Sequence, residues 1–169
     1  SEQNLVDCSG YTCNGGWMVF SHIKSNGIHT EQDYPYRGND GTCKLLTGKV
    51  KYNFYEAIDM ASGDMFRYLS HLAVKPLTTA YYVTDEFYNY SSGIINADSQ
   101  CANISSVNHA VIAVGYKIDT VDPLQSYILF KNSWGPNWGE KGFFKFRLKN
   151  DIHDKKGPCN LLLYGDANV

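Results

Sequence analysis

The sequence predicts an α+β chain, with loops and short helices in its first half and mainly sheet in its second. Three observations carry that reading. Met65, Tyr68, Leu69 and Leu72 recur at helical spacing. Residues 107–116 and 126–131 are apolar runs rich in β-branched side chains. Phe144, Phe146 and Leu148 alternate with Lys145, Arg147 and Lys149, the period-two pattern of a strand with one wet face.

The elements follow in order. Residues 17–26 predict a short helix after the flexible Gly15-Gly16 pair, stopped by Gly27. Residues 38–48 predict a loop, with Asn39-Asp40-Gly41 as its turn signal. Asp64 is placed to cap the helix carrying Met65, Tyr68, Leu69 and Leu72. Lys75-Pro76 ends that helix, because the residue before proline is pushed out of helical geometry. Residues 77–83 then read as extended. A boundary between two lobes falls near residues 61–75.

Composition narrows the function classes. The chain has 169 residues, enough for one ordinary domain or two small lobes. Hydrophobic content of 43% with 19% charged residues supports a packed core rather than disorder. A formal net charge of −2 argues against nucleic acid as the main partner, since phosphates need a basic face. No apolar run approaches the roughly 20 residues that span a bilayer. Ser1-Glu2-Gln3-Asn4-Leu5-Val6 reads as the interior of a protein, so processing or truncation upstream is expected.

Cys8, Cys13, Cys43, Cys101 and Cys159 fit no zinc spacing, and no metal or cofactor site is expected. Asn89-Tyr90-Ser91 and Asn103-Ile104-Ser105 are glycosylation acceptor triplets, so Asn89 and Asn103 are candidate modification sites. Together with the cysteines they favour an oxidising, secretory-route compartment. An odd cysteine count leaves at least one thiol without an internal partner.

The strongest geometric expectation concerns residues 107–131. Asp119-Thr120-Val121-Asp122-Pro123 separates the first two strands of this half and is rich in turn residues. An antiparallel hairpin turning between Thr120 and Val121 sets His109 directly opposite Asn132, provided no bulge shifts the register. An imidazolium stabilises a neighbouring thiolate, and the asparagine amide oxygen can hold the ring by one N–H. Trp134 is placed to cover that bond. A buried histidine satisfied within a core hairpin accounts for the same pair.

Four segments now carry a resemblance. They are Ser1-Glu2-Gln3-Asn4-Leu5-Val6-Asp7-Cys8, Cys13-Asn14-Gly15-Gly16, Val107-Asn108-His109-Ala110-Val111, and the run from Lys131-Asn132-Ser133-Trp134-Gly135-Pro136-Asn137-Trp138-Gly139-Glu140 to Lys141-Gly142-Phe143-Phe144. Asp33-Tyr34-Pro35-Tyr36 and Ser92-Gly93-Ile94 agree as well. The chain resembles the papain-like cysteine peptidases, the cathepsin L and papain group, across nearly its whole length.

The resemblance implies a two-lobed α+β fold, a helical left lobe and an antiparallel β-barrel-like right lobe with the active site between them. Residues 1–60 would form part of the left lobe and residues 61–169 mainly the right. It implies His109 and Asn132 as the catalytic histidine and its orienting partner, shielded by Trp134 and Trp138. None of the five cysteines matches the nucleophile motif, which reads close to Cys-Gly-Ser-Cys-Trp. The nucleophile is therefore expected on a segment outside this chain, and the chain alone is expected to be inactive. The resemblance pairs Cys8 with Cys43 and Cys101 with Cys159, and gives Cys13 a partner beside the nucleophile. A Cys8–Cys13 bridge with Cys43 free is the alternative.

The same resemblance outlines a substrate groove. Gly15 and Gly16 match the backbone that pairs with an extended peptide by strand addition; they also suit a helix entry. Trp17 and Met18 match a wall of the S2 pocket, Ala110 its edge and Tyr164 its floor. Ordinary core packing would also account for these aromatics. An aromatic floor predicts medium apolar P2 side chains. Asn108 stands before the base where some relatives carry aspartate. His22, His29, His71 and His153 match no catalytic motif.

The expected function is thiol-dependent endopeptidase activity, and the alternative is a catalytically inactive homologue serving as a binding module. Expected partners are the nucleophile-bearing segment, an extended peptide or protein substrate, a propeptide of a zymogen, and a cystatin-like inhibitor. A lysosomal, vacuolar or secreted location follows from the same resemblance.

Overall fold

A computed structural model describes residues 1–15, 20–49, 51–53, 57–59, 63–96, 101, 103–148, 156–163 and 165–168. The chain divides into two compact units, Ser1–Ala57 with Asn168–Val169, and Ile58–Ala167.

In the first unit, Ser1 opens helix α1 (Glu2–Cys8), its Oγ accepting from the Gln3 N–H at 3.1 Å. Such a cap satisfies one of the donors a helix start leaves unpaired. Helix α2 (Phe20–Asn26) ends where Gly27 adopts a φ of +69° and returns its N–H to Ile23 O at 2.7 Å. A Cβ there would lie 2.9 Å from Lys51 Cβ, so both conformation and space require glycine. Of the expected 17–26 helix, residues 17–19 lie outside the described residues.

Polar bonds rather than an apolar core organise the loop after α2. Gln3 and Asn4 are buried on α1. Gln3 Oε1 accepts from the Arg37 and Gly38 N–H groups at 2.8 and 3.2 Å. The Asp7 side chain is fully buried and accepts from Gln3 Nε2 (2.7 Å), Tyr34 Oη (2.8 Å) and Arg37 Nη2 (2.5 Å). A disulfide joins Cys8 to Cys43 and closes the loop back onto α1.

Burial raises the Asp7 pKa, but the hydrogen bonds from Tyr34 and Gln3 and the Arg37 guanidinium outweigh it. The carboxyl therefore sits below its ordinary value of 3.8. A depressed folded-state pKa contributes stability that is fully present above the unfolded value and lost as pH falls through the folded one. Thermal unfolding followed by near-ultraviolet circular dichroism should show the first unit weakening below pH 3.8. In Asp7→Asn that acid-side slope should flatten; an unchanged slope would assign it to other carboxylates.

The second unit holds the sheet. Asp64 Oδ1 accepts from the Arg67 N–H at 3.0 Å and starts helix α3 (Met65–Leu72), which buries Tyr68 and Leu72 one turn apart. Strands β1 (Ala57–Asp59) and β2 (Leu77–Tyr81) flank it in sequence. Short helix α4 (Asp85–Tyr88) and strand β3 (Ile94–Ile95) follow, then β4 (His109–Lys117), β5 (Tyr127–Lys131), β6 (Phe143–Arg147) and β7 (Gly165–Asn168).

The strand order is β1-β7-β2-β4-β5-β6-β3. The β2–β4, β2–β7, β4–β5 and β5–β6 pairs are antiparallel, whereas β3 runs parallel to β6. Phe144 and Phe146 point into the core with Tyr68, Leu77, Phe87, Ile128 and Phe130, while Phe143, Lys145 and Arg147 stay half-buried. A second disulfide, Cys101–Cys159, ties the segment before β4 to the segment before β7.

The hairpin register differs from the expectation. Ile112 faces Lys131 and Ala113 faces Phe130, so extending the ladder sets Val111, not His109, opposite Asn132. The position of the turn causes the shift, and a bulge partly offsets it. Asp119 Oδ1 accepts from the Val121 and Asp122 N–H groups, and Asp122 caps a 3-10 turn at Pro123–Gln125, which moves the turn toward Asp122. A bulge between Ala113 and Gly115 inserts one residue into β4 and returns the register by one position toward the expected pairing, without restoring it.

Candidate active site

His109 opens β4, where it pairs with Tyr81 at the end of β2. The residue before it is tied twice. The Asn108 N–H donates to Tyr81 O at 3.2 Å, and Asn108 Oδ1 accepts from the Val83 N–H at 2.7 Å. The backbone on which the imidazole stands is thus held by the neighbouring strand and its extension.

Despite the shifted register, the imidazole and the amide meet as diagonal neighbours two positions apart on one face, within reach for long side chains. His109 Nε2 lies 2.9 Å from Asn132 Oδ1. The same Oδ1 accepts from the Ser133 N–H at 2.8 Å. A backbone N–H can only donate, so this contact decides which amide atom faces the ring. With an oxygen there, Nε2 must carry a proton and donate. Nδ1 is then the ring nitrogen available for other chemistry.

Asn132 itself is 7% exposed, and its N–H donates to Gly142 O at 2.9 Å. Its Nδ2 has no hydrogen-bond partner among the described residues.

Aromatic rings enclose the pair. The Trp134 ring lies 5.2 Å from the imidazole, and Trp138 meets Trp134 edge-on at 5.2 Å. Phe87, fully buried on α4, packs against Trp134, Trp138 and His109 at 5.2, 4.7 and 5.9 Å. Tyr88 stacks on the outer face of Trp134 at 5.5 Å. Trp134 remains 38% exposed, so it covers one side of the pair and leaves the rim open.

The loop carrying both tryptophans is shaped by left-handed backbone at Gly135, Gly139, Lys141 and Gly142. At Gly139 a Cβ would lie 2.7 Å from Phe143 O. Glu140 locks the loop from the other side, its carboxylate accepting from Tyr90 Oη, the Gly93 N–H and Lys145 Nζ at 2.9, 3.0 and 2.7 Å.

The other candidates are distributed as follows. Ala110 is exposed beside His109 and pairs with Ala80. Gly15 belongs to the first unit, with a φ of +86° and open space where a Cβ would stand. Gly16, Trp17, Met18 and Tyr164 lie outside the described residues. Asn89 and Asn103 are exposed. Cys13 is exposed with a free thiol, raised above its ordinary pKa of 9.0 by desolvation and by Asp40. No group of three or more metal-ligating side chains exists among the described residues. Nor is any described helix long and apolar enough to cross a membrane.

Three contributors escaped sequence reasoning: Phe87, Tyr88 and Val83. Phe87-Tyr88-Asn89-Tyr90 is dense in aromatics and follows Thr84-Asp85, a plausible helix start, but four residues are too few to show periodicity. Nothing local signals that Val83 would receive the Asn108 side chain.

Comparison with known proteins fits this architecture. The family model described as papain family cysteine protease matches residues 1–161. The chain belongs to that family. It is 42% identical over 162 residues to thiol protease aleurain of Arabidopsis thaliana, covering 90% of this chain and 44% of that protein. It is 39% identical over 152 residues to pro-cathepsin H of Bos taurus, covering 85% and 44%. The chain therefore spans less than half the length of these curated relatives.

Among solved structures, the bromelain protease of Ananas comosus in complex with the E64 inhibitor superposes with a TM-score of 0.85 at 31% identity. That match covers all of this chain and 77% of the other. Digestive procathepsin L2 of the Tenebrio molitor larval midgut gives 0.87 at 31% identity, covering 100% and 52%.

Proposed function

We propose that this chain supplies the proton-transferring half of a cysteine peptidase, His109 held by Asn132, and that the attacking thiolate comes from a segment outside these 169 residues. The single observation that carries the reading is the Nε2–H to Oδ1 bond at 2.9 Å, with its oxygen identified by the Ser133 N–H. The cysteines support the second half of the reading. Four are bridged, and the fifth, Cys13, has its thiol shifted away from ready ionisation.

In this mechanism the thiolate sulfur attacks the peptide carbonyl carbon, and His109⁺ gives its Nδ1 proton to the leaving amine. The C–N bond breaks and a thioester remains. Water then attacks the thioester as the now neutral Nδ1 takes its proton. The C–S bond breaks, the acid leaves, and the thiolate–imidazolium pair is restored. Asn132 holds the ring plane throughout, and the tryptophans exclude water from its Nε2 side.

Gly15, Gly16, Trp17, Met18, Ala110 and Tyr164 are proposed as substrate-contacting residues on the family resemblance of their motifs, with strand addition at the glycines. Asn108, whose carboxamide is uncharged, contributes through its grip on Val83. The left-lobe part would end near residue 60, with residues 61–169 forming mainly the right lobe. A propeptide or a cystatin-like inhibitor would occupy the same groove. The pro-cathepsin H and procathepsin L2 relatives support a precursor form. Exposed Asn89 and Asn103 and the two bridges suit a lysosomal, vacuolar or secreted glycoprotein.

The test uses the full-length gene product. Its mass is measured with and without reductant, and it is treated with a thiol-reactive peptide epoxide. A label on a cysteine outside these 169 residues, with peptide cleavage lost in proportion, supports the reading. Label on Cys13, or no label and no cleavage, sinks it in favour of an inactive homologue that only binds.

A further inference from the structure

We propose that Asn160 is a positioning residue for His109, clamping from the far end of the unit the loop that delivers the histidine to β4. The inference rests on the catalytic role proposed for His109.

Asn160 sits between Cys159 and Leu161 with a left-handed backbone, φ 69° and ψ 17°, and is 3% exposed. Asparagine is among the few residues other than glycine that tolerate this conformation. Its side chain uses both amide protons. Nδ2 donates to Ile104 O at 3.0 Å and to Ser106 O at 2.9 Å, across more than 50 residues of sequence. The two carbonyls lie five and three residues before His109.

The clamp is anchored on both sides. Cys159 is bridged to Cys101 at the head of the loop. The Tyr82 N–H donates to Cys159 O at 2.9 Å, and Thr79 Oγ1 donates to Leu161 O at 3.2 Å, fixing Asn160 to β2 and its extension. β2 is the strand that pairs with His109 through Tyr81. The histidine-bearing loop and the strand it joins therefore share one rigid post. No regular element holds residues 103–108. Their other described backbone ties are the Ile104 N–H to Cys101 O bond and the two bonds of Asn108. Without the amide, Ile104 and Ser106 would lose the donor that orients them, and His109 would sample positions off Asn132.

The variant Asn160→Gly keeps the backbone conformation and removes both donors. In the full-length protein, kcat should fall about tenfold while KM changes less than about threefold, the pattern of a lost transition-state arrangement. The His109 Nε2–H proton resonance, assigned with His109→Ala, should broaden or vanish, a change that simple destabilisation at a folded temperature would not produce. Equal kcat and an unchanged resonance in Asn160→Gly would overturn the proposal.

A measurement on the unaltered protein keeps the question open to refutation even if the variant misfolds. The two Asn160 side-chain amide protons should exchange with solvent far more slowly than those of the exposed Asn137, and exchange at a free carboxamide rate overturns the clamp. Failure of the catalytic reading looks different: the unaltered protein would cleave nothing, yet Asn160→Gly would still disturb the His109 resonance.

Discussion

Replacing His109 with alanine in the full-length protein should lower kcat/KM for peptide substrates by about 10³–10⁴-fold. In the proposed mechanism the imidazole serves twice, stabilising the thiolate and protonating the leaving amine, so its loss should remove both contributions at once. The fold should survive. His109 is only half-buried, and its strand pairing with Tyr81 runs through the backbone, which alanine retains. The thermal midpoint should stay within a few degrees of the parent, since a rim substitution changes stability by about 0.5 kcal/mol. Activity within tenfold of the parent would remove His109 from the chemistry.

Phe87→Ala should cost about 3–5 kcal/mol of stability, the range for deleting a buried phenyl ring. The ring is fully buried and meets Tyr81, Trp138 and Phe144 at 5.3, 4.7 and 4.8 Å. It also backs Trp134, so its loss should let that indole drift from the imidazole. Denaturant unfolding and tryptophan emission measured together give the check. A stability loss with red-shifted emission in the still-folded state supports a shared core and site. A loss below about 1 kcal/mol would mean the surrounding rings close over the gap.

These two residues differ in how far they could be read beforehand. His109 stands in a strand whose apolar, β-branched run is visible, and its neighbours carry a recognisable motif. Phe87 lies in a four-residue helix with no repeat to read, and its importance comes from rings distant in sequence. The hairpin shows the same divide. Asp122-Pro123 marks a turn plainly, but the Asp119 bonds that extend it and the bulge after Ala113 depend on the completed ladder. The pairing of His109 with Asn132 thus arises through a diagonal contact instead of the direct opposition expected. Strands of two to four residues such as β3 and β7 are too short for any periodic signal.

Asn108 was legible as a neighbour of His109, whereas its amide bond to Val83 was not. A side-chain oxygen next to a candidate catalytic histidine suits substrate contact or backbone support equally well in one dimension. Asn160 carried no signal at all, because its partners are 54 and 56 residues away.

Local chemistry alone settled the caps, the stops and the alternation: Asp64 starts α3, Gly27 ends α2, and Phe144 and Phe146 turn inward, because each choice depends on a few adjacent residues. Only the folded chain decided the register at His109, the ring stack around it and the clamp behind it. Those features are set by long-range closure, where turn geometry, a bulge and packing compete and the sum of small terms selects one arrangement.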